Sequence, residues 1–145
     1  TQRKNKMIIF VKRCHSEATI PKKATPRAAG FDLHSIEECE IPANGMKKIP
    51  TGICVEIPEG YFGKIFDRSS LAIQQLVTLG GIIDNDYRGE LLVILQNLST
   101  SPYTVKKNDK IAQLVFTSQP EFEFRETCEL ENTSRGEKGF GSSGK

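Results

Sequence analysis

Charged side chains interrupt apolar segments of this 145-residue sequence, at positions just inside strand ends where an ordinary strand protein needs few. Asp32 lies inside the apolar stretch AGFDL at residues 29–33. Arg68 is followed by two serines in DRSSLA, residues 67–72, a segment that is typical of a helix start. A cation and hydroxyls at such a start are suited to binding an anion, because unpaired backbone N–H groups point there. Residues 67–72 therefore predict a site for a negatively charged ligand.

Two further stretches carry a carboxylate and an amide. Residues 81–89, GIIDNDYRG, predict a hairpin with Asp84 and Asp86 on either side of its tip. Gln113 lies inside the hydrophobic stretch DKIAQL, residues 109–114. A positioned carboxylate can orient and deprotonate a water molecule, and an amide can donate to a phosphate oxygen. Asp84 can also stabilise the hairpin turn, as aspartate often does. The residues alone leave both roles of Asp84 open.

The fifth unusual stretch is the tail RGEKGFGSSGK, residues 135–145. Residues 139–144 match the spelling G-x-G-x-x-G, but that motif needs a strand before it and a helix after it. Neither element is predicted there, so composition alone indicates a frayed terminus. Composition does not explain why the tail contains Arg135 and Phe140.

Length and charge restrict the class of protein. The chain is long enough for one domain with a core and short for two. Its net charge of +2 gives no reason to expect specific nucleic-acid binding. Basic residues do crowd an N-terminal arm, which can contact nucleic acid, serve as an import signal or be simply solvated. These residues are Lys4, Lys6, Lys12, Arg13, Lys22, Lys23 and Arg27.

Cysteine usage and hydropathy indicate an intracellular protein. The cysteines lack the spacing of a metal site, and with only two histidines in the chain no zinc site is predicted. No apolar run approaches the length of a membrane span, and residues 7–11 are too short for a signal peptide. We therefore expect reduced thiols, no membrane contact and a location in the cytoplasm or nucleus. The cysteines are Cys14, Cys39, Cys54 and Cys128.

The elements that must position these stretches are nearly all strands. Asn44-Gly45 predicts a turn before a new strand, and residues 70–77 are the best helix candidate, with Ser69 or Ser70 as N-cap. Such spacing predicts a single antiparallel, jelly-roll-like β-domain. Residues 91–95 are apolar throughout, so the core or another subunit should cover both of their faces. The predicted strands are residues 7–11, 53–57, 62–66, 91–95 and 111–116, followed by Phe122 and Phe124 at period two.

In this order and spacing, the five stretches resemble the five sequence motifs of the homotrimeric dUTP diphosphatases (dUTPases). The resemblance runs from about residue 10 to residue 144 and includes PTGI at 50–53 and PEG at 58–60. It implies a jelly-roll-like antiparallel β-barrel of the dUTPase type, with one short helix, that forms a homotrimer. It also implies one domain over residues 1–134, with the basic arm, and a flexible lid over residues 135–145.

The implied reaction is hydrolysis of dUTP to dUMP and pyrophosphate, which keeps uracil out of DNA and supplies dUMP for dTMP synthesis. By resemblance, Asp84 would orient the water that attacks the α-phosphate, and Asp32 would face Mg²⁺ through bound water. The phosphates would be bound by Arg68, Ser69, Ser70, Gln113, Arg135, Gly141, Ser142 and Ser143. Uracil and deoxyribose would be bound by Gly81, Ile83, Tyr87, Leu92 and Phe140. In the family each site is built by three chains, so monomers should be inactive.

The chain departs from the family pattern at Asp67, where Pro or Ala is common, and at Ser70, where Gly is common. Asp67 can pair with Arg68 or repel the substrate. The spelling RSSLA is also typical of the related dCTP deaminases, but these need a glutamate in the strand after the hairpin. Residues 91–95 contain no acid. We therefore predict dUTP hydrolysis, with a non-catalytic nucleotide-binding regulator of the same fold as the alternative.

Overall fold

The computed structural model describes residues 5–142 and residue 144, so Lys4 and Ser143, named above, lie outside the described part. Short antiparallel strands account for nearly all of the regular structure, as alternating apolar residues predict. The strands are β1 (Phe10–Arg13), β2 (Phe31–His34), β3 (Cys39–Ile41), β4 (Met46–Pro50), β5 (Ile53–Glu56), β6 (Tyr61–Phe66), β7 (Leu76–Leu79), β8 (Ile82–Ile83), β9 (Leu92–Asn97), β10 (Tyr103–Val105) and β11 (Lys110–Ser118). One short helix, α1 (Ser69–Ala72), lies between β6 and β7.

The strands form two larger sheets and two strand pairs. The four-stranded sheet has the order β2-β11-β6-β8, and the three-stranded sheet has the order β4-β9-β7. β1 pairs with β5 and β10 pairs with β3. All of these pairings are antiparallel. The prediction of an all-β fold with one short helix is confirmed.

The core is formed by the inward faces of these strands. In β5, Ile53 and Val55 are buried, while the intervening Cys54 is half-buried and Glu56 is exposed. In β9, Val93 and Leu95 are buried, whereas Leu92 and Ile94 are only half-buried. Both faces of residues 91–95 were expected to be covered, by the core or by another subunit. Within a single chain, only one face of β9 is fully covered. The fully buried side chains include Leu33, Ile41, Ile49, Ile53, Leu76, Leu91, Val93, Leu95, Val105, Ile111 and Leu114.

The predicted turn before β4 is confirmed. Asn44 adopts a left-handed conformation with φ 58°. The Gly45 N–H donates to the carbonyl of Pro42 at 2.9 Å, which closes the turn. Asparagine tolerates positive φ better than most residues, and this tolerance explains its place here.

The predicted helix at residues 70–77 is wrong in extent and in its cap. The helix begins at Ser69 and ends at Ala72, and its N-cap is Arg68, which makes no side-chain capping bond. Gln75 then turns the chain with φ 65°. Leu76 begins β7, where it is 1% exposed and pairs with Asn97. Burial of Leu76 against the core therefore overrides local helix propensity.

Three strand predictions are also corrected. Residues 7–9 are not in a strand, because β1 pairs only over the four residues that oppose Ile53–Glu56. Phe122 and Phe124 lie in irregular chain and are 90% and 106% exposed. The expected hairpin around Asp84 has its turn, but β8 pairs with β6 instead of β9.

All four cysteines carry free thiols, and burial raises the pKa of the Cys39 thiol. Across residues 5–142 and 144, no helix is long and apolar enough to cross a membrane.

Candidate active site

One group of charged side chains forms around Asp32 in the four-stranded sheet. β11 lies between β2 and β6, so Gln113 stands opposite both Asp32 and Phe66. Arg68, which follows β6, brings its Nε to 3.6 Å from Asp32 Oδ1. Lys110 at the start of β11 brings its Nζ to 3.4 Å from Asp32 Oδ2. We call Asp32, Arg68, Lys110 and Gln113 the Asp32 cluster.

Arg68 is held by more than its ion pair with Asp32. Arg68 Nη1 donates to the main-chain carbonyl of Lys110 at 3.2 Å. The Asp32 side chain is 13% exposed, while that of Arg68 is 29% exposed and that of Lys110 is 44% exposed. With one carboxylate against two cations, the cluster carries a net positive charge at its exposed rim. Such a rim can bind an anion.

Asp67 connects the Asp32 cluster to the second sheet. Its main-chain carbonyl accepts from Gln113 Nε2 at 2.8 Å. Its carboxylate Oδ1 accepts from the Thr78 Oγ1 at 2.7 Å and from the Thr78 N–H at 2.5 Å. The Asp67 carboxylate therefore binds Thr78 of β7, instead of pairing with Arg68.

Glycine allows the close packing of Gln113. A Cβ atom placed on Gly30 would collide with the Gln113 side-chain oxygen. Gly30 is buried beside the start of β2. A side chain at position 30 would therefore displace the Gln113 amide from its place between Asp32 and Asp67.

A separate cavity of about 210 Å³ lies between β6, β7, β8 and β9. Five residues predicted to form the substrate site line it together: Gly81, Ile83, Asp84, Tyr87 and Leu92. The other lining residues are Ile65, Leu79, Ile82, Glu90 and Ile94. Most of these side chains are aliphatic, and the polar groups lie at the segment 84–90. A mostly apolar cavity with a few converging polar groups is typical of a small-ligand site.

Hydrogen bonds fix the loop that closes this cavity. The Tyr87 N–H donates to the Asp84 carbonyl at 3.1 Å, so the turn uses the main chain of Asp84 and not its carboxylate. The Tyr87 hydroxyl donates to the main-chain carbonyl of Glu90 at 2.8 Å. Glu90 in turn accepts from the Gly52 N–H through Oε1 at 2.9 Å. Asp84 is exposed, so its carboxylate can meet a ligand or water.

The described residues of the tail lie at the surface of the chain. Arg135 Nε donates to the Lys138 carbonyl at 2.9 Å, so this guanidinium lies over its own turn. Phe140 is 113% exposed, and Gly141 and Ser142 are also exposed. Within one chain, the described tail residues are brought neither to the cavity nor to the Asp32 cluster.

The predicted site residues thus fall into separate groups. None of Asp32, Arg68 and Gln113 lines the cavity described above. Ser69 and Ser70 follow Arg68 at the start of α1, and both are exposed. Lys110, Thr78 and Glu90 were not among the site residues that the sequence predicted. Lys110 lies in the fourth stretch, at a point where the pairing of β11 with β2 shifts register between Lys110 and Ala112, and no sequence pattern indicates that shift.

Comparison with known proteins identifies the family. The family model for dUTPase matches residues 16–144. This chain belongs to the dUTPase family. Among relatives of this family, the deoxyuridine 5′-triphosphate nucleotidohydrolase of Paramecium bursaria Chlorella virus 1 is 42% identical over 137 residues, covering 94% of this chain and 97% of the relative. The protein of the same name from Helicobacter pylori (strain Shi470) is 44% identical over 141 residues, covering 95% and 97%.

Solved dUTPase structures share the fold. The dUTPase of Staphylococcus bacteriophage 80alpha, solved with dUpNHpp, aligns with a TM-score of 0.89 at 30% identity. The alignment covers 94% of this chain and 98% of the phage protein. The predicted dUTPase fold is therefore confirmed.

Proposed function

We propose that this member of the dUTPase family hydrolyses dUTP to dUMP and pyrophosphate. The observation that carries the proposal is the cavity in which Gly81, Ile83, Asp84, Tyr87 and Leu92 meet. It combines apolar walls, fixed backbone and one exposed carboxylate at its edge. Family membership and the names of the relatives support the same reaction.

The cavity suits a uracil base linked to deoxyribose. The Gly81 carbonyl accepts from the Ile65 N–H at 2.8 Å, so the backbone at this wall is rigid. Rigid N–H and C=O groups can match uracil and leave unpaired polar groups against cytosine, which discriminates by factors of about 10⁴ or more. The Tyr87 ring, held through its hydroxyl, would pack on the deoxyribose and exclude a 2′-hydroxyl.

The Asp32 cluster suits the triphosphate. Arg68 would bind phosphate oxygens through a guanidinium fork, with Ser69 and Ser70 adding hydroxyl donors. Gln113 already donates to the Asp67 carbonyl, so its amide is fixed beside Arg68. The substrate carries roughly four negative charges, and cations placed before binding stabilise charge that shifts during the reaction.

A magnesium ion fits this arrangement only as a partner of the substrate. In residues 5–142 and 144, no three acidic, histidine or cysteine side chains group to hold a metal by themselves. Mg²⁺ usually keeps several waters and binds one or two carboxylates plus substrate phosphates. Asp32 is the carboxylate that would face it through water. When bound, Mg²⁺ would neutralise phosphate charge and orient the triphosphate.

Asp84 would orient the water that attacks the α-phosphorus and accept its proton. Because the turn is closed by the main chain, the carboxylate remains available for that water. Removing dUTP in this way would keep uracil out of DNA, and the dUMP formed would supply dTMP synthesis.

We further propose that the chain acts as a homotrimer with sites shared between subunits. None of Asp32, Arg68 and Gln113 lines the cavity within one chain, which supports this, since the substrate would contact both groups. Residues 1–134 would form the barrel domain. Residues 135–145 would close as a lid, with Phe140 over uracil and Arg135, Gly141, Ser142 and Ser143 at the phosphates. Phe140 is fully exposed in the single chain, so its ring is free to stack on a base.

Pyrophosphate release from dUTP in the presence of Mg²⁺ tests the reaction. We expect turnover of dUTP to exceed turnover of dCTP by at least about 10³-fold, given matched polar recognition. Turnover of dTTP and UTP should also be lower, because the rigid wall at Gly81 would exclude the thymine methyl and Tyr87 would exclude a 2′-hydroxyl. Tight dUTP binding without release would show a regulator, and ammonia from dCTP would show a deaminase. Light scattering should give about three times the 16.2 kDa chain mass. An active monomer would refute the shared site.

A further inference from the structure

Asp67 stands between the two sheets and is bonded at both ends. β6, which it follows, belongs to the four-stranded sheet, and β7, which carries Thr78, belongs to the three-stranded sheet. The Asp67 carbonyl is bonded to Gln113 and its carboxylate to Thr78. A single residue therefore links β11 to β7 immediately before Arg68.

Thr78 is a firm anchor for this link. It pairs with Leu95, which is 1% exposed, and so belongs to the packed part of the second sheet. β7 is an edge strand in the order β4-β9-β7, so its outward N–H groups need partners outside the sheet. The Asp67 carboxylate supplies that partner and also accepts from the Thr78 hydroxyl.

At its base, Arg68 is held by Asp67 and by α1, where its carbonyl accepts from the Leu71 N–H at 3.0 Å and from the Ala72 N–H at 2.9 Å. It is the N-cap of α1 but makes no side-chain capping bond, and the helix is only four residues long. The tip of its side chain is held by Asp32 and by the Lys110 carbonyl. Substrate phosphates would compete for that tip, since they carry more charge than Asp32. After such an exchange, the position of the Arg68 backbone would depend on Asp67 and on the short helix α1.

We propose that Asp67 is a positioning residue that holds Arg68 toward the triphosphate by accepting hydrogen bonds from Thr78. The proposal rests on the proposed function, in which Arg68 binds phosphate. The carboxylate acts through its geometry and not through its charge, because a negative charge beside Arg68 opposes an anionic substrate. Asp67, which departs from the family pattern, would thus contribute to the site without touching the substrate.

The test compares Asp67→Ala, Asp67→Asn and Thr78→Val. We expect Asp67→Ala to lower kcat/KM for dUTP by about 10- to 100-fold, the size of effect that follows a misplacement of about 1 Å. Asp67→Asn keeps an oxygen acceptor for both Thr78 donors and removes the charge, so it should restore kcat/KM to within about 3-fold of wild type or exceed it. Thr78→Val loses only the hydroxyl bond and should fall between them. Because all three changes affect one link, Asp67→Ala/Thr78→Val should be no worse than Asp67→Ala alone.

A binding measurement separates positioning from a general structural role. Loss of Arg68 placement should weaken binding of a non-hydrolysable α,β-imido dUTP at least about 10-fold and leave deoxyuridine binding within about 2-fold. Equal losses for both ligands would make Asp67 merely structural and overturn the proposal. Wild-type kinetics in Asp67→Ala, with dUTP turnover intact, would also overturn it while sparing the proposed function. Failure of the wild-type chain to bind or hydrolyse dUTP would overturn both.

If circular dichroism shows that Asp67→Ala is unfolded, Thr78→Val becomes the deciding variant. Wild-type kinetics in Thr78→Val would then overturn the proposal.

Discussion

The Ile65 N–H donates to the Gly81 carbonyl at 2.8 Å, and this bond holds β6 against the residue that begins the cavity wall. Gly81 adopts φ +100°, a conformation that side chains rarely allow. A Cβ atom there would lie 2.8 Å from the Ile65 carbonyl oxygen. The wall of the cavity therefore depends on a glycine for two independent reasons.

Gly81→Ala should weaken binding of α,β-imido dUTP by at least about 10-fold, because the backbone must shift to relieve strain and collision of order 1–3 kcal/mol. Gly80→Ala is the matched control. Gly80 also has positive φ, at +68°, but the nearest atom to its Cβ position is Ile94 Cδ1 at 4.0 Å. Isothermal calorimetry on both variants checks the prediction. Equal binding by the two variants would contradict a rigid wall at Gly81.

Asp84→Asn should keep α,β-imido dUTP binding within about 3-fold and lower kcat by about 10²–10⁴-fold, the usual contribution of a general base. Its matched control is Asp86→Asn, which removes a carboxylate two residues away in the same loop. Steady-state pyrophosphate release gives kcat for both. Near-normal turnover in Asp84→Asn would show that Asp84 has no catalytic role and serves only in the turn.

Asp32→Asn should raise the Mg²⁺ concentration needed for half-maximal activity, because one carboxylate that would face the ion through water loses its charge. Asp32 is also ion-paired to Arg68 and Lys110, so stability can change as well. Magnesium titration of activity distinguishes the two effects. A lower melting temperature with an unchanged Mg²⁺ requirement would show that Asp32 only holds the two cations.

Deleting residues 135–145 should remove most dUTP turnover while the barrel stays folded, since the described tail residues make no contribution to the buried core. Phe140→Ala should reproduce part of this loss, and Phe140→Trp, which can still stack on a base, should retain activity. Circular dichroism and turnover measurements on the three proteins check this. Full activity in the truncated chain would mean that the tail is a frayed end.

Asn97→Ala should destabilise the fold by about 2–3 kcal/mol, since it leaves the buried Ile41 carbonyl and the partly buried Ser101 carbonyl without a donor. Asn97 is 0% exposed, and its Nδ2 donates to Ile41 at 3.1 Å and to Ser101 at 2.8 Å. The exposed Thr100→Ala in the same loop should stay within about 0.5 kcal/mol of wild type. Urea unfolding at one fixed protein concentration measures both. Similar midpoints for the two variants would show that water replaces the Asn97 amide.

Local sequence patterns predicted the secondary structure correctly where they reflect the burial of alternate side chains or the chemistry of a turn. Alternation in residues 53–57 predicted β5 and its inward face, and Asn44 predicted the turn before β4. The same reasoning failed at Leu76, which was predicted to lie in a helix over residues 70–77. It begins β7 instead, because it pairs with β9, and that partner strand is not evident from local sequence. It also failed at β8, whose hydrogen-bond partner is β6. A sequence pattern indicates that a strand has a buried face, but not which strand lies beside it.

The sequence by itself determined the family. Each of the five motifs consists of particular residue types at particular spacings, and such a pattern can be recognised in the sequence without the fold. It also named the five residues that meet in the cavity. Only the tertiary structure decided that Lys110 contacts Asp32 and that Asp67 binds Thr78 across two sheets. Those contacts depend on strand register and on long-range pairing. Neither is encoded in the short-range periodicity of hydrophobic residues.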